Sequence, residues 1–249
     1  MKRTERHRLK ENELAHSLAA AREYIEPRKR QISLAAFVIF LIAVVIAGIV
    51  ILRQRTVNQA HDMLAEAMVV LDAQVIPREP VDPKSPTPPP AAMQGSGTFE
   101  TEEAKLQAAV PKLKAAADAY PDTDPGITAR YHLASALAAL GKHQEAAAAY
   151  DEVINRDGDG LYGRMARLGK AEEQARAGQL DAAIATYKEL SERTDGDLPA
   201  DAILMQLGRA YVAAGKRDEA QKTFTKIVDE HPESPYASEA RQELETLKG

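Results

Sequence analysis

The ten residues GKRDEAQKTF, 215–224, carry a skeleton that occurs three times in this chain. A Gly, an Ala five positions later and an aromatic four beyond that also stand at Gly141, Ala146 and Tyr150, and at Gly178, Ala183 and Tyr187. Each set lies 37 residues from the next. Recurrence at such a period marks a stacked repeat array, in which one unit cannot bury its own apolar faces and neighbouring copies bury them together.

The composition agrees with a helical array. Of 249 residues 45% are hydrophobic, but much of that is Ala, aromatics make up only 5%, and there is no Trp. Small and straight-chain residues of this kind favour close-packed helices over sheets, so the expected fold class is all-α. The absence of Cys excludes disulfides, thiolate metal sites and a cysteine nucleophile.

Laid on the 34-residue tetratricopeptide repeat, the last copy resembles that unit through Leu207, Gly208, Tyr211, Ala220, Phe224 and Pro232. Leu204 stands where the family has Trp, and Ile227 where a small residue is usual. The spacing has a packing logic. Small Gly208 and Ala220 let two antiparallel helices approach, Tyr211 and Phe224 fill the groove between neighbours, and Gly215 turns the chain. The first copy resembles the same unit through Leu133, Ala134, Leu137, Gly141, Ala146, Tyr150 and Val153. The second keeps Ala171, Gly178, Ala183, Tyr187 and Leu190, but has Lys170 and Gln174 where Leu and Tyr are expected. One further step back gives Ala109, Leu113, Ala116 and Pro121, so residues 102–122 read as the second helix of an earlier, partial unit, with Pro111 implying a kink or a later start. Three units fill residues 123–233. Ser234 as N-cap and Pro235 at the first helical position open a capping helix over residues 234–249, with Tyr236, Ala240, Leu244 and Leu247 on one stripe.

Upstream, ISLAAFVIFLIAVVIAGIVIL, residues 32–52, is uncharged for 21 residues. As a helix it spans roughly 31 Å, about one hydrocarbon core, and is expected to be a transmembrane helix. It lacks the short leader and small-residue cleavage pattern of a signal peptide, so an anchor is expected. Arg22, Arg28, Lys29 and Arg30 precede it and only Arg53 and Arg55 follow closely, which places the basic tail, residues 1–31, in the cytoplasm. That tail holds nine Lys/Arg against five acids, whereas residues 53–249 hold 23 against 32. In the tail, Leu14, Leu18, Ala21 and Ile25 have helical spacing, consistent with an amphipathic helix or with a merely solvated tail. Residues 53–76 read as an amphipathic continuation with Ala60, Leu64, Ala67, Met68 and Leu71 on one face, and as the first helix of the partial unit. The Pro-rich stretch 77–101 then reads as a linker.

NRDGDG, residues 155–160, resembles half of a calcium loop, with oxygens at Asn155, Asp157 and Asp159, but Ala166 replaces the bidentate Glu, so a plain inter-repeat turn is expected. The His residues show no metal-like pairing, no phosphate loop or catalytic setting is visible, and the acidic large domain suits nucleic acid poorly. No enzyme activity, no cofactor and no small-molecule substrate are expected.

The repeat resemblance assigns an inner groove to the first helix of each unit. The candidate peptide-groove residues are Tyr131 and Ser135; Met165, Leu168 and Glu172; and Met205, Arg209 and Val212. This mixture of apolar groups with few charges suits varied apolar segments; packing against neighbouring helices is the alternative role for the same residues. Tyr131, Ser135, Met205 and Arg209 stand where co-chaperone members of the family place Lys and Asn to hold a C-terminal carboxylate, so that ligand class is disfavoured.

The order of short basic tail, one membrane helix and acidic repeats resembles the YfgM-type family, ancillary subunits of the SecYEG translocon with a periplasmic tetratricopeptide domain. The longer tail and the Pro-rich insertion depart from that family. The resemblance implies an inner-membrane protein whose partners are the translocon, periplasmic chaperones or unfolded emerging chains. The alternative is a scaffold tethering a folded envelope complex, such as division or outer-membrane machinery.

Overall fold

The computed structural model describes residues 29–77, 97–193 and 198–248. The expected tail helix and the body of the Pro-rich linker, residues 78–96, lie outside them. Two units are distinguished, residues 1–55 and 56–249.

In the first unit the chain is helical from Lys29, within α1 (Lys29–Leu71). The helix is long and apolar enough to cross a membrane. Its large apolar side chains from Phe37 to Leu52 are exposed around the whole helix.

The second unit begins inside the same helix. From Thr56 onward α1 becomes one-sided, with Ala60 and Ala67 fully buried and Met63, Leu64, Val70 and Leu71 packed on the repeat core. The helix ends at Leu71, earlier than the periodicity suggests. Gln74–Val75 (β1) instead pairs in parallel with Thr98–Phe99 (β2), and the Ile76 N–H donates to the Phe99 carbonyl at 2.8 Å. This short clamp brings together the two ends of the Pro-rich insertion.

Among the described residues eight helices follow: α2 (Glu102–Ala119), α3 (Asp124–Ala139), α4 (His143–Asp157), α5 (Leu161–Arg176), α6 (Leu180–Ser191), α7 (Ala200–Ala213), α8 (Arg217–Glu230) and α9 (Ala237–Lys248). Each packs on the next, and α3 also reaches α5. Helix α2 starts at Glu102, where Thr101 Oγ1 accepts the Ala104 N–H at 3.1 Å, so Pro111 does not delay it. Pro111 is tolerated because it and Gln107, whose carbonyl loses its usual partner, both lie on the exposed side. At the far end α9 begins at Ala237, not at Pro235. Ser234 Oγ donates to Asp201 Oδ2 at 2.6 Å and accepts the Tyr236 N–H at 3.0 Å, tying the segment to α7.

The repeated Gly has a backbone cause. Gly141, Gly178 and Gly215 have φ of +74°, +77° and +70°, with open space where a Cβ would stand, so conformation rather than crowding selects Gly. Each closes its helix in the same way. The next residue's N–H, from Lys142, Gln179 or Lys216, reaches back to the carbonyl of Leu137, Gln174 or Tyr211 at 2.9, 2.8 and 2.9 Å. Gly208 answers a different need: a Cβ there would lie 2.3 Å from the Phe224 ring.

Among the described residues the core falls into three clusters. Ala109, Leu113, Leu133, Leu137, Tyr150 and Val153 centre one, Tyr187, Leu190, Ile203, Leu207, Phe224 and Ile227 a second, and Ala116, Ala117 and Ala129 form a small third. Side-chain ties cross from unit to unit outside the core: Arg156 with Asp122, Arg193 with Asp159 at 3.2 Å and Lys216 with Asp181 at 2.8 Å.

Candidate partner-binding site

Five of the eight residues assigned to the groove from sequence come together. Tyr131 and Ser135 on α3 and Met165, Leu168 and Glu172 on α5 line one open recess of about 420 Å³, with Tyr150 of α4 on its wall and Leu198 and Pro199 at its edge. All five are partly buried. The helices set this out directly. Residues four apart on α3, and three, four and seven apart on α5, share a face, so each helix delivers its groove residues as one stripe.

The wall is aromatic. Tyr131 stands 6.1 Å from Tyr150 and 5.5 Å from Tyr162, centroid to centroid, with the rings tilted. Ser135 Oγ and the Tyr150 hydroxyl share a hydrogen bond of 3.2 Å. Burial pushes both the Tyr131 and Tyr150 phenols up, against the opposing hydrogen bond of Ser135.

The remaining three groove residues are elsewhere. Met205 is fully buried, 0% exposed, in the same cluster as Phe224 and Ala240. It is core, not groove: α9 ties onto α7 through Glu239 with Arg209, and the turn before α9 through the Ser234 to Asp201 bond. Arg209 is exposed but engaged by Glu239, and Val212 is exposed and does not line the recess.

The sequence reading also missed residues. Gly169 lines the recess because Tyr150 of the preceding unit leaves it no room: a Cβ there would lie 2.5 Å from the ring. Glu173 was not singled out, yet it is buried at 5% exposure and pairs with both His143 and, at 2.8 Å, Arg176. Lys170, at the position where the repeat expects Leu, pairs with Asp151 of α4. Polar ties thus hold the first helix of the second unit, where its apolar signature is weakest.

Glu172 differs from its neighbour. Among the described residues its carboxylate makes no hydrogen bond or ion pair. Burial pushes its carboxyl above the ordinary range; Arg176 opposes this and Glu173 adds to it. For an acid whose folded value is raised, the charged form is the less favoured one in the fold. The cost is therefore present above the raised value and lost as pH falls through it. Glu172→Gln is expected to raise the melting temperature at neutral pH, and the gain should vanish at about pH 4, where an ordinary carboxyl protonates. Melting curves at the two pH values check this; a variant less stable than wild type at neutral pH would mean that the carboxylate has a structural partner.

The calcium-like loop is committed to structure. Asp157 Oδ2 accepts the Gly163 N–H at 2.7 Å, capping the start of α5, and Asp159 Oδ1 pairs with Arg167 at 3.0 Å and Arg193 at 3.2 Å. The hydrogen bond from Arg167, followed by the Arg193 charge, holds the Asp159 carboxyl below its ordinary range. Among the described residues no group of His, Asp or Glu side chains is placed to hold a metal ion.

Comparison with known proteins is consistent with this geometry. Residues 102–161 and residues 174–244 match family profiles described as tetratricopeptide repeat. Among solved structures, the chain is similar to the TPR-like repeats of a putative kinesin light chain from Podosopora anserina, at 19% identity over 59% of this chain and 79% of that one, with a TM-score of 0.52. It is also similar to a tetratricopeptide repeat protein from Parabacteroides merdae, at 21% identity over 59% and 56%, with a TM-score of 0.49. At such identities the likeness concerns the fold alone. No curated protein matches.

Proposed function

We propose, for a chain that carries tetratricopeptide repeats over residues 102–161 and 174–244, the role of a membrane-anchored adaptor that holds segments of other proteins on the extracytoplasmic side. Repeats of this kind serve protein–protein interaction. The observation that carries the reading is the recess between α3 and α5, where Tyr131, Ser135, Met165, Leu168 and Glu172 offer mixed apolar and polar surface at a junction between units. A shallow site of this sort suits extended segments held weakly, because ordering a flexible chain offsets much of the contact energy. Micromolar affinity or weaker, about −8 kcal/mol at best, is expected.

Helix α1 supplies the anchor, and the basic residues before it favour a cytoplasmic N-terminus, which puts the repeats in the periplasm of a bacterial inner-membrane protein. The adaptor would stand beside the translocon and receive emerging chains, passing them to periplasmic chaperones. A reporter fused after Gly249 is expected to be active only outside the cytoplasm.

Photocrosslinking in intact membranes tests the function. A photoreactive residue replacing Ala139, exposed on the rim of the recess, should give adducts with translocon subunits and with many different chains, whereas one replacing Lys222, exposed on α8, should not. Adducts from position 139 with one folded envelope protein alone would sink the adaptor and favour a scaffold. Equal labelling from both positions would remove the recess from the function.

A further inference from the structure

We infer that the recess between α3 and α5 is a pocket for a basic side chain, the guanidinium or ammonium of an Arg or Lys within an extended partner segment, received against the Glu172 carboxylate. The inference rests on the adaptor reading and specifies what that site selects.

Three observations converge on a cation. The first is charge complementarity left open. Of the two adjacent acids on α5, Glu173 is answered by His143 and Arg176, while Glu172 faces the recess without a hydrogen bond or ion pair among the described residues. Glu172 is half-buried and its carboxylate still reaches solvent, so its charge is partly desolvated without a partner, and a cation arriving in the same recess offsets that partial cost. Arg176 also lines the recess, but its guanidinium is engaged at 2.8 Å by Glu173, so the charge of Glu172 is not matched by it.

The second is the wall. Tyr131 and Tyr150 line the recess, and aromatic side chains attract ammonium and guanidinium groups while packing against their aliphatic stems. The Ser135 and Tyr150 hydroxyls add oxygen acceptors for the N–H donors of a cation.

The third is size. About 420 Å³ lies at the lower end of ordinary ligand pockets, enough for one long side chain with the backbone on either side of it, and too little for a folded element. Met165 and Leu168 then meet the apolar neighbours of that residue, so a basic residue flanked by apolar ones is the expected recognition element.

The test uses the full chain in lipid nanodiscs and pools of acetylated, amidated heptapeptides with flanks randomised over Leu, Ala, Ser and Gly. The central residue is fixed as Arg, Lys, citrulline, norleucine or Glu. Arg and Lys pools should be retained at least tenfold better than citrulline, which keeps the shape of Arg without its charge, and better still than Glu. In Glu172→Gln, whose fold is checked by its melting curve, the preference of Arg over citrulline should fall to about one while weak retention of the apolar pools persists. If wild type retains citrulline and norleucine pools as well as Arg, the inference is wrong and the adaptor reading stands. If the preference survives in Glu172→Gln, the cation is held elsewhere and the inference is equally wrong. Retention of no pool would overturn both readings.

Discussion

Phe224→Ala should lower the unfolding free energy by about 3–5 kcal/mol, the cost of removing a large aromatic from a closed core. The side chain has no exposed surface and sits in the largest apolar cluster. Its neighbour cannot collapse into the space left behind: Gly208 has no side chain to move, and its backbone already stands where a Cβ would come within 2.3 Å of the ring. A hole lined by a rigid helix backbone retains most of its cavity cost. Tyr211→Ala should cost clearly less, because Tyr211 is only partly buried at the edge of the same cluster. Urea unfolding of the detergent-solubilised chain, followed by circular dichroism, separates the two. Near-wild-type stability of Phe224→Ala would contradict the close approach of α7 and α8, and equal losses would mean that the two rings are equally central.

That pair of residues also shows what a sequence can reveal. The repeat was visible because single residues answer single geometric needs: Gly215 supplies a left-handed turn, Gly208 a close helix contact and Phe224 the ring that fills it. Such needs recur at fixed spacing whatever surrounds them. Other features follow from combinations that spacing does not encode. Two-residue strands have no periodicity, so β1 and β2 left no signal, and α1 stops at Leu71 although its apolar pattern runs on. Ser234 and Pro235 have the grammar of a helix start, yet the hydroxyl reaches Asp201 and the helix opens at Ala237. In the second unit the apolar signature fades because Lys170 and Glu173 hold their helix by charge, and the partners Asp151 and His143 lie on the preceding unit.

The recess was legible only in part for a related reason. Tyr131, Leu168 and Met205 occupy the same position in successive units, so register alone treats them alike. The first two line the recess, where the neighbouring unit leaves them partly open. Met205 belongs to the last unit, beside the capping helix, and is enclosed. Equivalent positions in a finite array do not have equivalent surroundings, and the array's end is where the difference is greatest.

The same chemical change at two methionines therefore has opposite expected outcomes. Met205→Arg places a charge where no solvent reaches, with Ile203, Leu204, Phe224 and Ile227 in its cluster and no carboxylate among them. An unpaired buried charge of this kind costs about 3–5 kcal/mol or more, enough to unfold the last repeat. Met165→Arg places the same group in the open recess, about two helical turns from Glu172, where its stem replaces the thioether and its charge stays in contact with solvent. Its stability should stay within about 0.5 kcal/mol of wild type. The tethered cation should also exclude partner segments, so retention of Arg- and Lys-centred peptides should be lost in a protein that melts normally. Unfolding of Met165→Arg would place that residue in the core, and the recess would then lose its standing as a site. Normal melting with undiminished peptide retention would leave the fold intact and move the binding surface off α5.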